Sequence, residues 1–328
     1  MFRIRKRSFT NKETSCSYGK YLLFLFLLIH SSGADILAQR IIQVRYTQDS
    51  KGNYEFICEN HAFCHYIVEV KVTGLDNLRA DQTLPFRKEV LPGTTHLFNL
   101  IPENRENAIK FNFSATYLKG CIQPNPKSDI TYLLPFAPGK EAQVYEMQNT
   151  GKAKAGDPEI KNWYVIRIKM SPGDTIFASR RGVVSELDES SGANDSGSNQ
   201  IGGTNFIEIV HSDCTFGRYG IIRKNGALVK PGQTVEAGSP IGIVGGDRFG
   251  RGAEIRFSVS YNEEVFDAAS NEKQYQVFLP LWFWIKYKGK DRITHGADYV
   301  AEHPSAVIAQ EKTSPSTPKK PASKSRKT

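Results

Sequence analysis

Glu254 and Arg256 stand two residues apart in Ala253–Tyr261, where Ile255, Phe257 and Val259 alternate with Glu254, Arg256, Ser258 and Ser260. Strict alternation predicts a strand with one apolar face in a core and one polar face. What the polar face carries decides the chemistry. A second group is Cys58-x2-His61-x2-Cys64-His65. Thiolates and imidazoles so spaced are zinc-ligand types, but the same two cysteines flank Glu59–Phe63 and are placed to close a short disulfide loop. Outside the first forty residues the histidines are His61, His65, His96, His211, His295 and His303, and none forms a His-x-His pair.

The choice between metal and disulfide depends on the compartment. Arg3, Arg5, Lys6, Arg7, Lys12 and Lys20 precede the apolar run Tyr21–Ile29, and small residues suited to cleavage follow at Ala34 and Ala38. This is the pattern of an export signal over residues 1–38. A membrane span needs about 20 apolar residues, so the mature chain is expected to carry no transmembrane segment. Export to the periplasm or beyond favours the disulfide. Cys58, Cys64, Cys121 and Cys214 remain after processing, which permits two bridges and three connectivities. At least one bridge is expected within 58–121. Cys58–Cys64 comes first, with Cys58–Cys121 and Cys64–Cys121 as alternatives.

The 328 residues, 39% hydrophobic and 23% charged, are enough for two globular domains. The formal charge of +9 is moderate and lies partly at the two ends, so no nucleic-acid partner is expected. Residues 40–140 hold short strand candidates between turn-rich pieces, the pattern of a β-sandwich. Ala137–Ala142 reads as a linker. Beyond it, Val229, Val235, Ile241 and Ile243 lie between Pro231-Gly232, Gly238 and Gly245-Gly246, which reads as short strands joined by tight glycine turns. Trp282, Phe283 and Trp284 are expected in the core or over a sheet edge, with a sugar platform as the other reading. Residues 304–328 are poor in apolar residues and rich in Lys, Ser, Thr and Pro, the composition of a disordered basic tail.

Gly173-Asp174-Thr175-Ile176-Phe177-Ala178, Gly182-Val183-Val184, Asn225-Gly226, Val229-Lys230-Pro231-Gly232, Ala237-Gly238, Ile241-Gly242 and the strand ending in Phe257 follow one another in order. This order resembles the lysostaphin-type (LytM-like) zinc endopeptidases, over roughly residues 160–262. The resemblance implies a duplicated hybrid motif, a β-sheet or barrel-sandwich domain at 143–303, and an all-β chain. It also implies a zinc cofactor and peptidoglycan peptides as substrate. The family's ligands and catalytic histidines fall, on this sequence, at Trp163, Arg167, Ile221, Glu254 and Arg256. Only Glu254 among these is a metal donor. No metal and no catalytic residues are therefore expected here. Arg167, Glu254 and Arg256 are expected instead to form a polar, ligand-binding cluster in a pseudoenzyme. The implied partner is peptidoglycan or a cell-wall hydrolase, and the alternative is an active endopeptidase with substituted ligands.

Overall fold

The computed structural model of the chain describes residues 7–8, 41–149, 158–190, 205–246, 252–266 and 272–309. The export signal expected at 1–38 lies outside these residues except at 7–8, and the basic tail lies outside them beyond residue 309. The fold is nearly all-β, with the short Ser305–Ala309 the one helix among the described residues. No described helix is long and apolar enough to cross a membrane.

The chain forms two compact units. One comprises Arg5–Ala62 and Tyr66–Leu118, and the other comprises Phe63–His65 and the chain from Lys119 onward. The division at Leu118/Lys119 falls earlier than the linker expected at 137–142. The reason is burial: Tyr132, Leu134 and Phe136 belong to the same core as Ile255 and Phe257.

In the first unit, Ile42–Gln48, Tyr54–Asn60, Gly93–Pro102 and Leu78–Ala80 form one sheet in that order. Lys110–Lys119, Tyr66–Asp76 and Phe86–Val90 lie side by side in a second. Rings from both sheets meet: Phe56 stacks on Phe98 at 4.6 Å, Phe113 meets Phe56 at 5.2 Å, and Phe86 meets Phe98 at 5.2 Å. Such aromatic pairs combine large apolar burial with preferred ring geometry. This is the expected sandwich.

In the second unit, a ten-stranded sheet carries Gly182–Asp188, Phe206–Val210, Phe216–Gly220, Glu254–Phe266, Ile166–Lys169 and Glu141–Glu146 as successive neighbours. Two three-stranded sheets accompany it. The sheets are open rather than closed into a barrel. Ile255, Phe257 and Val259 are fully buried in the core with Ile166, Ile168, Ile207, Ile209 and Tyr219. The sequence pattern fixes this face, because period-two side chains cannot change sides without a register slip. Gly182 permits the close approach of Gly182–Asp188 to Phe206–Val210, since a side chain there would run into the Val210 carbonyl and Ile209. Phe283 and Ile285 are in the core, while the Trp284 indole N–H donates to Glu302 at 2.6 Å. These contacts support the core reading of this segment.

The disulfide expectation needs correction. Cys121 bridges Cys214, with Cα atoms 6.0 Å apart and a sequence separation of 93. Cys58 and Cys64 are buried free thiols, not a bridged pair. Cys58 sits beyond Phe56 on the inward face of Tyr54–Asn60, and Cys64 belongs to the other compact unit. Nearness in sequence misled because the strand carries Cys58 into a core. Burial pushes the Cys58 thiol up to about 11, and burial pushes Cys64 up to about 12.

Candidate functional site

Strand pairing assembles the polar face. Arg167 stands opposite Arg256, and Gly220 stands opposite Arg256 on its other side. One residue pair along, Ser258, Arg218, Glu208 and Glu186 lie in register across four strands. Side chains at i and i+2 share a face, so both rows project from the side opposite Ile255 and Phe257.

The first row holds the expected cluster. The Arg256 Nε–H donates to Glu254 Oε1 at 2.8 Å. An Arg167 guanidinium nitrogen lies 3.6 Å from Glu254 Oε2. The Arg167 guanidinium also lies over the Tyr145 ring at 4.3 Å, a cation–π arrangement. Glu254 and Arg256 are 2% and 4% exposed, whereas the Arg167 side chain keeps 27% of its surface. The three residues therefore converge, with Arg167 outermost.

The other two positions, Trp163 and Ile221, make their contacts elsewhere. The Trp163 indole N–H donates to the Met147 carbonyl at 2.7 Å, and its ring packs on Phe278 at 5.0 Å. Ile221 is buried and holds φ at +68°, a rare conformation for a β-branched residue. Its N–H donates to Asn205 and its carbonyl accepts from Gly245 at 2.8 Å, so backbone bonds on both sides pin the strained residue.

The donor set does not fit zinc. A catalytic zinc keeps about three protein ligands and one open position. Among Trp163, Arg167, Ile221, Glu254 and Arg256 only Glu254 offers lone pairs, and each of its oxygens faces a guanidinium. Two fixed positive charges beside a would-be cation oppose it by Coulomb repulsion.

The second row was not anticipated from the sequence. Lys119 pairs with Glu186 at 3.1 Å and with Glu208. Arg218 lies 3.8 Å from Glu208, and Ser185 Oγ–H donates to Glu208 Oε1 at 2.8 Å. Burial would raise the Glu208 carboxyl, but Lys119 and Arg218 outweigh it and hold the group below its ordinary value. Burial dominates at Glu186 and raises it, although Lys119 pulls the other way. The alternation of Phe206, Glu208 and Val210 with Ile207 and Ile209 was a readable sign that Glu208 shares the polar face. Nothing local points to Lys119, which arrives from 89 residues away.

His211 serves a turn. Its N–H donates to Thr215 O at 2.8 Å, and its ring Nδ1–H donates to Arg181 O at 2.8 Å. Beside it Arg180 pairs with Asp213 at 3.0 Å, the two side chains 1% and 3% exposed. Burial, then the Arg180 charge, push the imidazole down to about 3.

Part of the chain matches a known family. Residues 161–268 match the family described as Peptidase family M23. No curated protein matches the chain. Among solved structures, the catalytic domain of the prophage-encoded M23 protein EnpA from Enterococcus faecalis is 18% identical, covering 43% of this chain and 87% of that one, with a TM-score of 0.24. Csd3 from Helicobacter pylori is 11% identical, covering 66% and 72%, with a TM-score of 0.28. A putative peptidase M23 from Pseudomonas aeruginosa is 11% identical, covering 59% and 82%, with a TM-score of 0.28. The chain thus carries, at residues 161–268, a domain of peptidase family M23.

Proposed function

We propose that this chain is an exported cell-envelope protein whose M23 domain binds peptidoglycan without cutting it, or regulates a hydrolase that does. One observation supports this reading above the others: the Glu254 carboxylate is clasped between Arg256 and Arg167 where the family places its metal. Arg167 is the partly exposed arm of the cluster, suited to a peptide carboxylate by its planar fork of donors. Glu254, itself bonded to Arg256, and the Tyr145 ring hold it in place. The first forty residues support export by their basic and apolar segments.

Co-sedimentation with purified peptidoglycan sacculi tests the proposal. The oxidised chain should pellet with sacculi and release no peptide fragments. Arg167→Gln should weaken retention about tenfold, the loss of one charge-assisted contact at a partly exposed site. Release of peptides by the unmodified chain would return it to the active endopeptidases. Absence of retention would leave hydrolase regulation as the function.

A further inference from the structure

We propose that the Cys121–Cys214 bridge is a redox-gated metal site: once the bridge is reduced, both thiolates and the His65 imidazole hold a Zn2+ ion. The sulfurs and a ring nitrogen of these three residues all lie within 4.8 Å of one another. His65 Nδ1 is 3.4 Å from Cys121 Sγ. In a tetrahedral zinc site with Zn–N of about 2.0 Å and Zn–S of about 2.3 Å, the N···S edge is about 3.5 Å. The spacing therefore already matches one edge of the coordination polyhedron. Opening the sulfur pair around an ion needs little backbone movement from a Cα separation of 6.0 Å.

Contacts outside the bridge hold each arm. The Gly120 N–H donates to the His65 carbonyl at 2.9 Å, which ties Cys121's neighbour to the histidine. Cys214 sits at φ +66° in the His211–Thr215 turn, and its N–H donates to His211 O at 3.1 Å. The Asn125 N–H donates to Asp213 O at 3.2 Å, which ties the segment after Cys121 to the same turn. Loss of the S–S bond leaves these three hydrogen bonds in place. Cys121 is 5% exposed, while His65 and Cys214 are partly exposed and give an ion access. Two thiolates and an imidazole are soft and borderline donors that favour zinc over magnesium or calcium. The site shares no residue with Trp163, Arg167, Glu254 and Arg256 and does not depend on what they do. His65 was one of four residues whose types suggested zinc in the sequence. Within its own compact unit it lies beside Cys121 and Cys214.

The electron balance needs a thiol reductant of the dithiol class. Its thiolate attacks the Sγ of Cys214, the less buried residue, and Cys121 leaves as a thiolate. The reductant's second thiol then resolves the mixed disulfide, releasing Cys214 and a cyclic oxidised dithiol. Two electrons pass to the cysteines, which take up two protons without metal and release two on binding Zn2+.

Cobalt(II) titration of the full chain tests this, in oxidised form and after anaerobic reduction with a phosphine. The reduced chain should take up about one Co2+, with a thiolate-to-cobalt charge-transfer band and visible tetrahedral bands. Zn2+ should erase both, and the oxidised chain should show neither. Reduced Cys214→Ser should lose most of the charge-transfer intensity. His65→Ala should keep that intensity and bind about tenfold or more weakly. A reduced chain that shows no charge-transfer band, or that unfolds, contradicts the proposal. So do bands that survive in the Cys121→Ser/Cys214→Ser double variant, which would place the metal at Cys58 or Cys64.

Discussion

At the scale of single residues, Glu254 and Arg256 carry part of the cost of the polar face. Both are buried and oppositely charged, and they are hydrogen-bonded to each other. Desolvating an ion pair is costly, and removing one partner leaves that cost uncompensated. Arg256→Met should therefore destabilise the fold by about 3–5 kcal/mol, since Arg167 at 3.6 Å replaces the lost partner poorly. Glu254→Leu combined with Arg256→Met should recover most of the loss, because a well-packed apolar pair often equals a buried ion pair. Urea denaturation of the two variants measures both. The pairing itself was legible: alternation placed Glu254 and Arg256 on one face, and the family's turn order placed Arg167 beside them. Lys119 was not legible, because a contact across 89 residues leaves no trace in local spacing.

At the scale of elements, the His211–Thr215 turn makes stability depend on pH. The folded imidazole is pushed down to about 3 by burial and by Arg180, whereas a free histidine titrates near 6.5. Between those values the unfolded chain binds a proton that the folded chain refuses. Stability therefore rises with pH across that window and is lost as pH falls below about 6.5, by at most about 1.4 kcal/mol per pH unit from this group. His303, also lowered by burial, acts with the same sign. Asp213 is held low by Arg180 against its burial, and its contribution is lost only at more acid pH. His211→Asn should flatten the slope between pH 5 and 6.5 relative to the unmodified chain, read from urea midpoints. An unchanged slope would mean that His211 charges freely in the fold. Strands and turns were largely readable here, because glycine and proline punctuate them and period-two alternation fixes their faces. The disulfide was not. Its partners are joined by the packing of distant segments, while the nearer Cys58 is turned into an aromatic core.

At the scale of the whole molecule, a β-sandwich unit and a unit containing an M23 domain share one chain. The family was legible from the order of many weak turns rather than from any single motif. The extent of the second unit was less so, because residues 40–140 read as one sandwich, yet Lys119–Phe136 joins the second unit, where Tyr132, Leu134 and Phe136 enter its core. We propose that an ion-pair cluster stands in the M23 domain where the family holds its metal. Zinc content of the oxidised full chain, measured by elemental analysis alongside an assay on cross-linked peptidoglycan, tests it most directly. The bridge must be intact, so that Cys121 and Cys214 cannot contribute bound metal of their own. The expected result is zinc far below one equivalent and no chelator-sensitive cleavage. One equivalent of zinc in the oxidised chain, with cleavage abolished by a chelator and restored by zinc, would contradict it.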